Sequence, residues 1–562
     1  MARTVGIGIQ DFEKLITKDV FYIDKTLFIR EWWESEDDVT LITRPRRFGK
    51  TLTMDMLEKF FSVKYADRGD LFKGLAIWQE EKYREIQGTY PVIFLSFAPV
   101  KETCYENCRR KIYHLLGNLY SDYEFLLESG ILTSAEKDFF KGVSADMGDV
   151  EASLALGELS KYLCRYYGKK VIILLDEYDT PMQEAYVNGY WEELTASVRE
   201  IFNAAFKTNT YLERAIMTGI TRVSKESIFS DFNNPKVVTV TSEKYEDCFG
   251  FTQQEVLDAL KEYGLSDKEN EVRDWYDGFT FGKKSDIYNP WSIINYLSER
   301  RFAAYWANTS SNSLAGKLIR EGNQQIKMAM EDLLDGKNLC MEIDEQIIFS
   351  QLDEDENAVW SLLLAGGYLK VERYRMDEEW GRVEYELSLT NKEVRIMFRN
   401  MIKGWFRRSA FAYNEFVKAL LRGDVKSMNA YMNKVALETF SYFDTGKKPS
   451  ETAEPEKFYH GFVLGLIVEL ADRYTVTSNR ESGYGRYDVM LEPLHKEDDG
   501  IILEFKVLDP EEEDTLQDTV KSALTQIEDK QYPAALMARG IMPERIRRYG
   551  FAFEGKKVLI GS

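Results

Sequence analysis

Gly49, Lys50 and Thr51 close the run Arg44-Pro-Arg-Arg-Phe-Gly-Lys-Thr51, directly after the apolar, strand-like residues Val39 to Thr43. These residue types at this spacing suit a phosphate. Backbone N–H groups at a helix start cradle phosphate oxygens, a lysine reaches the terminal phosphates, and a Ser or Thr hydroxyl holds magnesium. The glycine that usually opens such a loop is missing, because Arg44 occupies its place. Arg44, Arg46 and Arg47 form a basic cluster within the loop. Their expected ligand is nucleotide phosphate, and Phe48 is counted with them as a nucleotide-binding position.

A second group of residues fits the same chemistry. Val171-Ile-Ile-Leu-Leu175 is an apolar run of strand length, followed at once by Asp176-Glu177. Such a run fits a parallel strand buried on both faces, and the carboxyl ends of such strands are where open α/β sheets bind ligands. Asp176 is expected to hold the metal with Thr51, and Glu177 to polarise an attacking water. A further strand, Arg214 to Thr218, leads to Gly219 and then Thr221-Arg222. Thr218 and Arg222 are candidates to sense the terminal phosphate.

A different chemistry is written near the other end. Gly485-Arg-Tyr-Asp-Val-Met-Leu491 and Ile501-Ile-Leu-Glu-Phe-Lys-Val507 read as neighbouring strands. Residues two apart on a strand share a face, so Glu504 and Lys506 point the same way from an otherwise apolar segment. Desolvating an unpaired charge costs several kcal/mol, so such residues need each other, a metal or an open cleft. With Asp488 they form a set of hard oxygen ligands for magnesium or manganese and a lysine that orients or activates water beside a phosphate. Gln526 and Lys530, on a helical stretch from about 516 to 530, are placed to face the same cleft.

The elements that must position these residues follow from the pattern. Residues 1–240 alternate strand-like runs (39–43, 91–97, 171–175, 214–218) with amphipathic helical stretches, the mark of an α/β sheet covered on both faces. Residues 241–445 read as mostly helical, with a hairpin at Tyr368 to Arg373 and Val383 to Leu389, the wing of a small winged-helix unit, and an exposed acidic turn at Asp353 to Glu356. Gly446 to Pro455 reads as a linker into a third part, 446–562, which opens on a helical stretch carrying Glu469.

Composition bounds the function classes. The chain has 562 residues, 44% of them hydrophobic, too apolar for a disordered protein. Its net charge is −21, so any nucleic acid must meet a local basic patch on an acidic body. Five scattered cysteines do not make a disulfide framework, and Cys104 and Cys108 have no second pair to complete a zinc site. No leader-like or membrane-spanning segment is read, so the expected location is the cytoplasm.

Taken together, Tyr22-Ile-Asp-Lys-Thr26, Arg44 to Thr51, Leu175-Asp-Glu-Tyr-Asp179, Thr218-Gly-Ile-Thr-Arg-Val223, Trp275-Tyr-Asp-Gly278, Tyr288-Asn-Pro-Trp291, Gly485 to Asp488 and Leu503-Glu-Phe-Lys506 resemble one bacterial family over nearly the whole chain. It is the group of AAA-ATPase-like proteins with a C-terminal PD-(D/E)XK nuclease-like domain. The resemblance implies a P-loop NTPase parallel sheet of the additional-strand type, a helical lid and a restriction-endonuclease-like α/β domain. It also implies that arginine at position 44 is the family's own loop pattern. ATP and magnesium are the implied cofactors, and the implied substrate is nucleic acid, DNA before RNA. The alternative is a nucleotide-driven switch whose nuclease-like domain binds nucleic acid or protein without cutting. Arg222 could act within the chain or across a subunit boundary, so a homo-oligomer stays open. Tyr22 to Thr26 reads first as N-terminal packing.

Overall fold

A computed structural model describes residues 2–221, 235–307, 313–321, 324–343, 358–377, 382–405, 410–439, 463, 467, 470, 473–482, 485–495, 497–510 and 513–562. Arg222, Asp353 to Glu356, the linker Gly446 to Pro455 and Glu469 lie outside the described residues. The chain forms two compact units, 1–321 with 330–397, and 322–329 with 398–562. The expected boundaries at 240 and 445 do not coincide with these units. Residues 241–321 pack with the N-terminal sheet region, and the helices Ala410–Arg422 and Val425–Thr439 pack on the C-terminal sheet.

In the first unit, β1 (Val39–Thr43), β2 (Val92–Ser96), β3 (Val171–Asp176), β4 (Leu212–Gly219) and β5 (Lys236–Val238) form one parallel sheet in the order β2-β3-β4-β1-β5. β4 thus stands between the loop-bearing β1 and the acid-bearing β3, which is the additional strand that the resemblance implied. Every residue of β1 and β3 is buried, as their unbroken apolar runs require. The helix Lys50–Phe61 follows β1 and buries Met54, Leu57, Phe60 and Phe61 against Ile42, Ile172, Leu174 and Ile216.

The rest of this unit combines helices with two small sheets. β6 (Phe251–Thr252), β7 (Phe279–Phe281) and β8 (Lys284–Tyr288) pair in the order β6-β8-β7. β9 (Leu339–Glu342), β10 (Leu369–Asp377) and β11 (Arg382–Leu389) pair in the order β10-β11-β9, so the expected hairpin forms and gains a third strand. Tyr276, Tyr288, Ile293 and Tyr296 share a buried cluster with Phe21 and Leu260, which gives the Trp275 to Gly278 and Tyr288 to Trp291 segments a packing role. Tyr22 to Thr26 is fixed by polar contacts. Asp24 accepts from Thr26 and from the Ala76 N–H, and Lys25 pairs with Glu255 at 2.7 Å.

The second unit holds a mixed sheet of β12 (Tyr474–Ser482), β13 (Gly485–Pro493), β14 (Gly500–Val507), β15 (Ile546–Glu554) and β16 (Lys557–Gly561), in that order. β14 and β15 are parallel and the other neighbours antiparallel. Alternation along β14 divides its side chains. Ile501, Leu503 and Phe505 join the helices Ala410–Arg422 and Val425–Thr439 in one core, with Val463, Ile467 and Leu470. Ile502 enters a second cluster with Ile527 of the helix Leu516–Asp529. Glu504 and Lys506 share the parity of Ile502 and so face that helix. Asn429 and Asn433, one helical turn apart, each exchange amide hydrogen bonds with β16 and cap the sheet's edge.

Candidate functional site

The loop after β1 closes on itself. Gly49 takes a left-handed backbone, φ 84°, and the helix Lys50–Phe61 starts at the next residue. The Lys50 side chain folds back, and its Nζ donates to the main-chain carbonyls of Arg44 at 2.8 Å and Pro45 at 2.9 Å. Burial pushes its pKa down, while Glu177, Asp179 and Asp176 act in the opposite sense. Thr51 Oγ1 donates to Asp176 Oδ2 at 2.8 Å, and Thr218 Oγ1 donates to Asp176 Oδ1 at 2.6 Å. β1, β3 and β4 therefore bring Thr51, Asp176 and Thr218 together at one end of the sheet. Thr51 and Asp176 offer adjacent hard oxygens of the kind magnesium prefers. Glu177 stands beside them in a left-handed conformation, φ 50°.

The basic cluster divides. Arg44 does not face the loop's interior. It is fully buried, and its guanidinium donates to the carbonyls of Thr43, Thr239 and Tyr245 and lies over the Phe281 ring. This corrects its expected role as a phosphate ligand: a buried cation needs close acceptors, and main-chain carbonyls already supply them. Phe48 is also buried, edge-on to Phe279 and Phe281, so its ring packs the loop. Arg47 is exposed and lies 4.5 Å over the Trp291 ring. Arg46 is half-buried and donates to Gln183 Oε1 at 3.2 Å.

In the second unit, pairing of β13 with β14 runs from Leu491↔Ile501 to Val489↔Leu503 and stops there. Asp488 and Glu504 come next, where the strands part. Asp488 Oδ2 accepts from the Phe505 N–H at 2.8 Å, and Glu504 Oε2 accepts from the Asp488 N–H at 3.4 Å. Glu504 is almost fully buried, and the Gln526 amide donates to its Oε1. The same amide donates to the Tyr532 hydroxyl at 3.2 Å. Burial raises the Tyr532 pKa, and the charges of Glu504 and Asp488 add to the shift. Lys506, half-buried, lines an open groove of about 480 Å³ with Gln526, Lys521, Lys530 and Asp529. All four residues expected here, Asp488, Glu504, Lys506 and Gln526, meet at one place, and Asp488 with Glu504 is a carboxylate pair suited to magnesium or manganese.

Residues 6–229 match the family described as Predicted AAA-ATPase, and residues 454–562 match the PD-(D/E)XK nuclease superfamily. The chain joins an AAA-ATPase-like domain to a PD-(D/E)XK-superfamily domain. An uncharacterized protein in the vnfD 5' region of Azotobacter chroococcum mcd 1 is 25% identical over 396 residues, covering 70% of this chain and 68% of its own. No described helix is long and apolar enough to cross a membrane.

Several residues of the AAA-ATPase-like site escaped the sequence reading. Asp179 Oδ2 accepts from the N–H groups of Ile220 and Thr221, from the Thr221 hydroxyl and from the Gln183 amide. It shapes the turn after β4, and Gly219 is required there because a Cβ would lie 2.7 Å from Asp179 Oδ1. Gln183 also receives Arg46, so it links the loop after β1 to that turn. Asp179 was in view as the last residue of Leu175 to Asp179, but nothing in its spacing marked its partners. In the PD-(D/E)XK domain the missed residue is Tyr532, which shares the Gln526 amide with Glu504.

Proposed function

We propose that the chain is a P-loop ATPase coupled to a metal-dependent nuclease that cuts nucleic acid, DNA in the first place. The observation that carries this reading is the meeting of Asp488, Glu504, Lys506 and Gln526 where β13 and β14 part. A buried carboxylate beside a second one is costly unless hydrogen bonds and a counter-charge offset it, and a divalent cation would supply that charge. A divalent cation bound there would offset the charge that develops on a phosphodiester during attack. Gln526 holds Glu504 in place, the Phe505 N–H holds Asp488, and Lys506 orients a water beside the scissile phosphate. Water oxygen bonds to phosphorus and gives up a proton to solvent, the bond to the leaving sugar oxygen breaks, and that oxygen takes up a proton from solvent.

At the other site, Lys50 would leave the carbonyls of Arg44 and Pro45 to meet the phosphates of ATP. Thr51 and Asp176 would hold magnesium, and Glu177 would polarise the attacking water. Thr218 reads the terminal phosphate through its contact with Asp176. Arg46 and Arg47 are retained as phosphate-facing candidates, and Arg222 as a sensor. The chain acts in the cytoplasm, alone or as a homo-oligomer.

The test is cleavage of labelled plasmid, single-stranded DNA and RNA in magnesium or manganese, with Lys506→Ala beside the wild type. Cleavage that disappears with Lys506 supports the nuclease and names its substrate. If no metal condition gives cleavage, or if Lys506→Ala cuts as well as the wild type, the nuclease reading fails. Retained nucleic-acid binding would then favour a nucleotide-driven binding switch.

A further inference from the structure

A phosphate loop points N–H groups at the ligand, so each carbonyl that shares a peptide with such an N–H turns away from it and needs a donor on that side. Glycines usually make that shape accessible. This loop has only Gly49, and Arg47 carries a left-handed backbone, φ 64°, which a non-glycine residue adopts at a cost. Something outside the loop must hold it.

The holder lies in residues 279–306 and 367–393 of the same unit, among the described residues. Phe48 is seated between Phe279 and Phe281, and Pro45 sits so close to Gly367 that a Cβ there would come within 2.7 Å of its ring. The Arg46 carbonyl accepts two side-chain N–H groups, from Asn289 Nδ2 at 3.3 Å and Trp306 Nε1 at 3.0 Å. In a trans peptide the C=O and the following N–H point in opposite directions. Holding the Arg46 carbonyl outward therefore turns the Arg47 N–H inward.

Both donors are themselves fixed. Asn289 is fully buried, and its Oδ1 caps the helix Pro290–Glu299 by accepting from the N–H groups of Trp291 and Ser292. One amide thus caps a helix with its oxygen and grips the loop with its nitrogen. Trp306 is anchored by Glu393, whose Oε1 accepts the Trp306 N–H at 2.5 Å and the Ala307 N–H at 3.3 Å. The other Glu393 oxygen accepts from the Ser292 hydroxyl at 2.8 Å, which ties the two donors' supports together.

We infer that Asn289 and Trp306 are positioning residues of the nucleotide site, which hold the Arg46 carbonyl outward so that the Arg47 N–H meets the bound phosphates. The inference rests on the nucleotide reading above. It gives the Tyr288 to Trp291 segment a task beyond packing. It also makes the region after the AAA-ATPase-like match part of the nucleotide site, since Asn289 and Trp306 both lie beyond residue 229.

Trp306→Phe keeps the ring's packing and removes its N–H. Asn289→Ser keeps a good helix cap and is too short to reach the loop. Each single variant leaves the carbonyl one donor, so folding should hardly change. The measurement is calorimetric binding of magnesium–ATP to the full chain, with melting temperature without nucleotide as the control. Each single variant should bind about threefold more weakly and the double variant about tenfold, the scale of a lost hydrogen bond. Wild-type affinity in both single variants would overturn the inference, whether or not the double variant folds. If the wild-type chain binds no nucleotide, the nucleotide reading itself fails and this inference with it. Weakened binding matched by an equal loss of thermal stability would reduce the pair to ordinary packing residues and overturn the inference too.

Discussion

Each candidate site has one lysine, and the surroundings of the two are opposite. Lys50 is buried, with its ammonium against the carbonyls of Arg44 and Pro45. Lys506 lines an open groove beside Lys521 and Lys530. Around Lys50, the partners of Thr51, Asp176 and Thr218 are one another. Around Lys506, the carboxylates are held by neighbouring protein groups, the Phe505 N–H and Gln526. On the proposed function, a nucleotide at the first site would have to exchange internal hydrogen bonds for its own, whereas the carboxylates of the second site are already held. Rearrangement on ligand binding is therefore expected at the first site and not at the second, which makes the AAA-ATPase-like domain the natural place for control.

The sharpest way to break this contrast is to remove the buried lysine. Lys50→Ala should lower magnesium-dependent ATP hydrolysis about 100-fold or more, as loss of a preorganised cation does. Phosphate release at the wild-type rate would mean that Lys50 is only a structural plug. Next comes a pH effect from the clamp on the loop. Burial pushes the Glu393 pKa up from 4.5 to about 7, against the pull of its three donors. The folded chain then binds this proton more tightly than the unfolded chain between those values. Its contribution is fully present below pH 4.5 and is lost as pH rises through about 7, a change of about 3 kcal/mol. The difference in melting temperature between Glu393→Gln and the wild type should therefore shift in favour of the glutamine from pH 5 to pH 8. A constant difference would show that Glu393 is ionised throughout.

A smaller effect is expected in the second domain. Gln526→Ala should weaken manganese binding by about tenfold, the lower end for a group that orients a metal ligand. Unchanged affinity, read by titration calorimetry, would mean that Glu504 is held well enough without it. That outcome would strengthen the claim that this site is prebuilt by its strands alone.

What the sequence made legible was local. β1 and β3 could be read nearly residue for residue, because strands buried on both faces are unbroken apolar runs. Asp488, Glu504 and Lys506 were legible because strand alternation fixes which side chains share a face. Arg44 was misread because its carbonyl partners at Thr239 and Tyr245 are about 200 residues away in the chain. Asn289 and Trp306 are farther still from Arg46. The Asn-Pro pair at 289–290 did carry a helix-start signal, an N-cap followed by proline at the first position. Nothing in that signal says that the amide's other end grips a loop. The helices before 445 were assigned to the middle region because their apolar faces fit any partner. Only the assembled core shows that Phe416, Leu420 and Met432 belong with Leu503 and Phe551.

The central claim is that nucleotide at the first site controls chemistry at the second. The direct measurement is the rate of cleavage of labelled DNA in magnesium or manganese as ATP is titrated, for the wild type, Lys50→Ala and Lys506→Ala. A wild-type rate that changes with ATP, a Lys50→Ala rate that ignores ATP, and no cleavage by Lys506→Ala is the predicted result. Cleavage by the wild type that is the same at every ATP concentration would contradict it.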